Sequence, residues 1–397
     1  MGKITTIFLS IIFSLFLLEI ILLFTPLKKK VYKGFPINYY EKNSDYGYDI
    51  KKNTKKFNHL IGKGEYKYNI WGNKLGCFDD KNFNIDDGYI LSMGDSTSWG
   101  YTSNNTRWNN LLEKKIDYPV LSCGVSGFST KQQLMKTKRV IIELNKMPKI
   151  IILQYSFQND LFEDSLFPFY TVKYGQLSIT KKYKSYLTGE IQEIKKSKLQ
   201  KKIRIFLRSH SYLYNLLDNA FYALKKNNKK KNISSKKKSL GKINISYPWN
   251  TINYLDPQKY SWVKLKWDNH LDNLRDFKKF TDNNEIDLYV VYIEEIREIY
   301  HMLENFNKFS DLSIKNNSYI IKKFFKDNSI TFFDLENEIY SIYKIKRKYF
   351  KKHPLRGDEI NLVWLEDGHY NTKGNKLIAE LIYNDLVERN FLLNLRK

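Results

Sequence analysis

Five short apolar runs punctuate the chain: YILSM at 89–93, PVLSC at 119–123, IIIL at 150–153, LYVVYI at 288–293 and ITFFDL at 330–335. Between them, apolar residues recur at three- and four-residue spacing, the mark of amphipathic helices. Arg107 to Ile116, Thr130 to Leu144, Ser261 to Phe280 and Thr372 to Val387 fit that period. The run after Pro148 carries no polar interruption, as expected of a strand covered on both faces. Short strands separated by helical connections predict a parallel sheet with helices on both sides.

One apolar run is different. From Ile4 to Phe24 the residues are almost all Ile, Leu and Phe, broken by Thr5, Thr6, Ser10, Ser14 and Glu19. About 20 such residues span a bilayer. A signal peptide has a shorter core and a small-residue cleavage site, whereas this run ends in Thr25-Pro26-Leu27. An uncleaved anchor over residues 1–27 is therefore expected, in preference to a helix buried in a soluble core. Glu19 is costly at membrane depth unless it reaches the interface or is protonated. Lys28, Lys29 and Lys30 follow the run and only Lys3 precedes it, which by the positive-inside rule keeps the bulk of the chain in the cytoplasm. Long domains translocate largely regardless of charge. The expectation adopted is a single-pass protein with its main domain outside the cytoplasm.

Residues 28–85 are aromatic and turn-rich and read as a tether lying against the main domain, which takes up 86–397. The alternation breaks between about 165 and 255, an insertion. It holds a helical stretch within 201–224, then a lysine block made of Lys225, Lys226, Lys229, Lys230, Lys231, Lys236, Lys237 and Lys238. Such a block is most simply a solvated loop; an anionic lipid or polymer is the partner it would fit.

Composition adds little to this division. The chain has 397 residues with 42% hydrophobic and 16% aromatic content, enough for a sizeable core. The net charge of +25 comes mostly from lysine and suits a generally basic surface or a face toward an anionic membrane or acidic polymer. No zinc-finger spacing or RNA-binding signature accompanies it, so nucleic acid is not an expected partner. The two cysteines, Cys77 and Cys123, form no disulfide framework. Two buried free thiols are expected in preference to a bridge.

Ligands of a doubly wound sheet bind outside the carboxyl ends of its strands. The residues delivered there are Gly94-Asp95-Ser96, Gly124-Val125-Ser126-Gly127, Gln158-Asn159-Asp160 and, before the last helix, Glu366-Asp367-Gly368-His369. These types suit acyl transfer. Serine needs a base within hydrogen-bond reach, and His369 can serve. Asp367 or Glu366 can fix its tautomer. The backbone N–H groups of Ser96 and Gly127 and the Asn159 side-chain amide can receive an oxyanion. Asp95 and Asp160 read as local structural groups, Gly124 as a turn glycine and Asn371 as a helix cap. His59, His210, His270, His301 and His353 read as surface or core residues.

The stretches GDSTSWG, CGVSGFST, QND and DGHYNTKGN resemble, in order, the four signature blocks of the SGNH (GDSL-type) hydrolase superfamily. The resemblance covers roughly residues 86–165 and 285–390. It is closest in kind to the membrane-anchored bacterial branch with an insertion before the fourth strand. It implies a flavodoxin-like three-layer α/β/α sandwich, Ser96 as nucleophile, Ser96, Gly127 and Asn159 as the oxyanion hole, and Asp367 and His369 completing the triad, with no cofactor and no metal. The chain departs from the commonest pattern twice. That pattern places the acid three residues before the histidine, which here is Glu366; Asp367 has the two-residue spacing of some polysaccharide-acetylating branches and is favoured. Phe157 stands where a glycine is usual. The expected activity is a membrane-anchored serine esterase or O-acyltransferase acting on acyl, chiefly acetyl, esters of a cell-envelope glycan. A lipid esterase or thioesterase, or a non-catalytic envelope protein binding anionic polymer or lipid, are the alternatives.

Overall fold

The computed structural model describes residues 2–25, 35–61, 66–80, 82–185, 188–194, 199, 203, 206–207, 211–214, 216–217, 220, 256–293, 313–347, 362–364 and 367–395. The chain divides into two compact units, Met1–Ile37 with Lys195–Ser246, and Asn38–Ile194 with Tyr247–Lys397.

The first unit contains α1 (Gly2–Leu23). Its stretch Thr5–Leu23 is long and apolar enough to cross a membrane. Its Ile, Leu and Phe side chains are exposed along the length of the helix, as for Phe8, Phe13 and Phe16.

The second unit opens with two antiparallel hairpins, β1 (Tyr40–Asn43) with β2 (Gly47–Ile50), and β3 (Phe57–Ile61) with β4 (Tyr66–Ile70). The main sheet follows: β5 (Ile90–Met93), the short α2 (Ser96–Trp99), α3 (Trp108–Ile116), β6 (Val120–Ser122), α4 (Thr130–Leu144), β7 (Ile150–Tyr155) and α5 (Phe157–Ser165). Two more hairpins come next, β8 (Tyr170–Lys173) with β9 (Gln176–Ile179), and β10 (Lys181–Tyr183) with β11 (Ile191–Glu193). The chain returns to the sheet with α6 (Ser261–Asn283), β12 (Asp287–Tyr292), α7 (Ser313–Asp327), β13 (Thr331–Asp334), α8 (Leu335–Arg347) and α9 (Thr372–Glu388). The five parallel strands lie in the order β6-β5-β7-β12-β13. That is the flavodoxin-like order 2-1-3-4-5, with its switch point between β5 and β7.

Strand side chains point alternately to the two faces, and the sequence fills both. Leu91, Met93, Ile151, Leu153 and Val290 join one core with Leu134, Trp267 and Phe277. Ile90, Ile150, Ile152, Tyr289 and Val291 join another with Trp108, Leu112, Ile378 and Ile382. Local signals set the helix ends. Ser129 and Gln132 form a capping box at the start of α4, and Asn145 in left-handed conformation ends it.

All five strands and the four helices read from periodicity occur, with ends shifted by three residues or fewer. The segment read as an aromatic, turn-rich tether against the main domain contributes two hairpins and some of the most buried aromatics, including Tyr39, Tyr48 and Phe78. The helical stretch within 201–224 is described only in part. The lysine block at 225–238 lies outside the described residues.

The expectation of free thiols is overturned: Cys77 and Cys123 form a disulfide. The pairing is tertiary in origin. The Asp79 carboxylate accepts the Ser122 N–H at 2.6 Å, which lays residues 77–79 along the end of β6 and brings Cys77 against Cys123. Nothing local in either sequence segment records that approach.

The bridge closes a loop with a sequence separation of 46. Replacing both cysteines by alanine is expected to cost about 4 kcal/mol in the chain-entropy account. Urea unfolding of the oxidised protein and the double variant measures it; equal midpoints would contradict this.

Candidate active site

The first strand ends at Gly94, whose φ of 151° suits glycine. A Cβ there would lie within 3 Å of Gln154 and Ser98 atoms. The chain then turns into α2. Asp95, not Ser96, caps that helix: its Oδ1 accepts the Thr97 N–H at 2.9 Å. From the adjacent β7, the Gln154 Oε1 accepts the N–H groups of Asp95 and Ser98 at 3.1 and 3.2 Å. Ser96 is therefore the first helical residue, its own backbone N–H at the positive end of the turn, and it is 9% exposed.

Two further blocks meet this turn. Asn159, on the first turn of α5, donates from Nδ2 to Asp95 Oδ2 at 3.1 Å. Asp160 supports that turn by accepting the Ser156 N–H at 2.9 Å and the Gln133 side-chain amide at 2.8 Å. Phe157, in the place of the usual glycine, is fully buried against Trp267. The loop after β6 is held by Val125 N–H donating to Gly94 O at 3.0 Å. It is also held by the Tyr48 hydroxyl donating to Ser126 O at 2.8 Å. Gly127, with φ 81°, is closed in by Tyr48 and Tyr170.

The fourth block lies on a turn between Val363, which bridges Tyr370, and α9. Gly368 N–H donates to Trp364 O at 2.8 Å and Trp364 N–H to His369 O at 2.9 Å. Asn371 caps α9 by accepting the Gly374 N–H. On this turn the Asp367 carboxylate is hydrogen-bonded to His369 Nδ1. Glu366, the alternative acid, lies outside the described residues.

Tyr101 joins these blocks. Its ring lies parallel to the His369 imidazole, centroids 3.7 Å apart and planes at 10°. Its hydroxyl is 2.9 Å from Ser126 Oγ. Its carbonyl accepts the Trp364 indole N–H at 2.8 Å. Thr102 and Thr372 hydroxyls meet at 3.1 Å. The histidine turn is thus pinned to the segment that leaves the Ser96 helix.

Burial sets the charges. Around Asp367, burial pushes the carboxyl up, but the hydrogen bond and charge of His369 outweigh it and hold it below the ordinary range. His59, on β3, is driven down to about 4, chiefly by burial. It is neutral at pH 7 and does not compete for Asp367. On α5, burial and the Asp95 charge raise Glu163 well above its ordinary value, and its buried Oε2 lacks a hydrogen-bond partner.

The sequence reading missed Tyr66, Tyr68 and Tyr101, while His59, read as a surface or core residue, is buried. Tyr66 stacks on Trp364 at 4.7 Å, and His59 packs on Tyr68, Trp99 and Tyr101. A signal was present: FNHLI and YKYNI alternate with period two around GKGE, a hairpin pattern. His270 is a core residue, between Asp164 at 2.7 Å and the Tyr155 hydroxyl at 2.6 Å. His210, His301 and His353 lie outside the described residues.

No family model matches the chain, and no curated protein matches it. Solved structures of the same general fold do match. An acetyl xylan esterase, AlAXEase, is 13% identical over 75% of this chain and 99% of its own, with a TM-score of 0.39. A putative lipolytic protein of the G-D-S-L family from Desulfitobacterium hafniense is 9% identical over 76% and 99%, at 0.34. The lipase/acylhydrolase from Enterococcus faecalis is 10% identical over 76% and 96%, at 0.32. Likeness at this level carries no chemistry across, so the chemical reading rests on this chain's own residues.

Two outcomes follow from the local physics. A carboxyl raised by burial is stabilising below its unfolded pKa and loses that contribution as pH rises through its folded value. Glu163→Gln should therefore gain stability relative to wild type as pH rises from about 4.5 toward 8. Urea unfolding at both ends of that range tests it, and parallel curves would contradict it. Tyr101→Leu, which removes the stack and the Ser126 contact, should lower kcat about tenfold. Tyr101→Phe should retain most activity; steady-state ester hydrolysis would expose the reverse order.

Proposed function

We propose that the chain is a membrane-anchored serine esterase or O-acyltransferase of the SGNH (GDSL) type. The observation that carries this reading is the Asp367–His369 pair stacked on Tyr101, which also reaches the Ser126–Gly127 loop while Asn159 is bonded beside Ser96. In this reading four segments far apart in sequence supply an acid, a base, oxyanion donors and a serine.

In this reading Ser96 Oγ attacks the ester carbonyl carbon and His369 takes its proton. Asp367 holds the imidazole tautomer and stabilises the imidazolium. The N–H groups of Ser96 and Gly127 and the Asn159 amide receive the oxyanion. Collapse breaks the C–O bond, and the departing alcohol takes the proton from His369. Water, or a sugar hydroxyl, then attacks the acyl-enzyme with His369 as base. The small exposure of Ser96 and the closing of Gly127 by Tyr48 and Tyr170 favour a small acyl group such as acetyl. An apolar helix fit to span a membrane favours a substrate at the cell envelope, a glycan ester in this reading. The Cys77–Cys123 disulfide is of the kind that persists in oxidising compartments. It supports an extracytoplasmic domain over the orientation that Lys28–Lys30 favours.

A membrane-impermeant fluorophosphonate applied to whole cells should label the wild type and not Ser96→Ala. Absence of wild-type labelling on permeabilised cells would sink the enzyme reading, and labelling only after permeabilisation would reverse the orientation. Asp367→Asn should lower kcat by about 10⁴-fold while Glu366→Gln stays near wild type. The opposite pattern would move the acid to Glu366.

A further inference from the structure

Glu19 interrupts α1 four residues before its end at Leu23, about 6 Å along the helix axis. Its carboxylate is not left to lipid. It accepts the Ser211 hydroxyl and the Leu213 N–H, both at 3.0 Å, and the Tyr212 N–H. Ser211 Oγ in turn accepts the Tyr214 N–H at 2.9 Å. Helical backbone, present at residues 203 and 206–207, breaks at Ser211 and resumes at Tyr212. The first N–H groups of a helix have no partner within it. Here Glu19 takes two and Ser211 a third. An acidic side chain from α1 thus caps a helical segment nearly two hundred residues away, at a helix N-terminus where negative charge is favoured.

Described residues on both sides of Ser211 expose large apolar side chains. Leu199, Ile203, Phe206 and Leu217 are 66%, 50%, 61% and 59% exposed. Between residues 195 and 208 the chain carries seven lysines and arginines and no acidic residue. Exposed large apolar groups interleaved with cations suit the boundary between anionic headgroups and acyl chains. Continuity with α1 names the occupant, because Glu19 holds Ser211–Leu213 close to the end of the apolar helix.

We propose that the described residues between Leu199 and Leu217 form a second membrane contact. They lie in the headgroup–acyl boundary beside α1 and are held there by Glu19. An ionisable residue that is costly in an isolated span becomes the bond between the anchor and the insertion. This proposal stands independently of the catalytic reading.

The test uses the full chain in vesicles of phosphatidylcholine and phosphatidylglycerol. The native cysteines are paired with each other, so an environment-sensitive fluorophore can be placed at Phe206→Cys or Leu217→Cys. Both labels should be quenched by brominated acyl chains and poorly by aqueous iodide. Adding Glu19→Leu, which keeps α1 apolar, should raise iodide quenching at 217 several-fold. Glu19→Gln retains an acceptor oxygen and should fall between. Labels quenched by iodide and not by brominated lipid in the wild type would overturn the contact, as would their burial against another protein. Unchanged quenching in Glu19→Leu would overturn the role of Glu19.

Discussion

The buried pair of Arg107 and Asp79 holds the candidate site together. Arg107 Nη2 lies 3.3 Å from Asp79 Oδ1, both side chains almost wholly buried. The same guanidinium donates to Trp99 O at the end of the Ser96 helix, to Ser122 Oγ on β6 and to Asn104 Oδ1. It lies over the Phe78 ring at 4.4 Å. Asp79 also accepts from Asn110 and from the Ser122 N–H. Burial raises the Asp79 carboxyl against the pull of Arg107, and lowers Arg107 against the pull of Asp79. Neither charge is tolerable alone at that depth. The segment before the sheet, the serine turn and the second strand are therefore fixed relative to one another, and the Cys77–Cys123 bond follows from that docking.

A second constraint is the control of charge next to His369. Two titratable groups interact with the turn, and burial treats them differently. Burial drives His59 down to about 4, while the hydrogen bond and charge of His369 hold Asp367 below the ordinary carboxylate range against burial. A proton taken up by His369 meets the Asp367 carboxylate. The Tyr101 ring lies against the same imidazole, and an aromatic face favours a cation over it. The imidazole is held between the Asp367 hydrogen bond and the Tyr101 ring.

How far this was legible in sequence depends on the range of the interactions. The strands at 150–155 and 287–292 were readable because burial on both faces leaves an uninterrupted apolar run. Helix α4 was readable to the residue because Ser129, Gln132 and Asn145 mark its ends locally. The positions of the Ser96, Gly127 and Asn159 segments were readable because each follows a strand, and that of the His369 turn because it precedes the last helix. The disulfide, the Arg107–Asp79 pair and the Tyr101 stack were not, since each joins segments with no local signature of the other. Glu19 shows the same limit. Its position in an apolar helix was plain, and its partners lie nearly two hundred residues away.

The hairpin β3–β4 gives this limit a physical meaning. In sequence it belongs to a stretch that looks like a tether. In space it supplies His59, Tyr66 and Tyr68 to the wall against Tyr101 and Trp364. The sheet positions Ser96 and Asn159, and these aromatic residues contribute to the low-dielectric surroundings of the Asp367–His369 pair. A low-dielectric wall strengthens the Asp367–His369 interaction and keeps His59 neutral by the same burial. The segment before the sheet is therefore part of the electrostatics of the site as much as of its scaffold. Variation in its aromatic residues would act on the histidine without touching a residue of the four blocks.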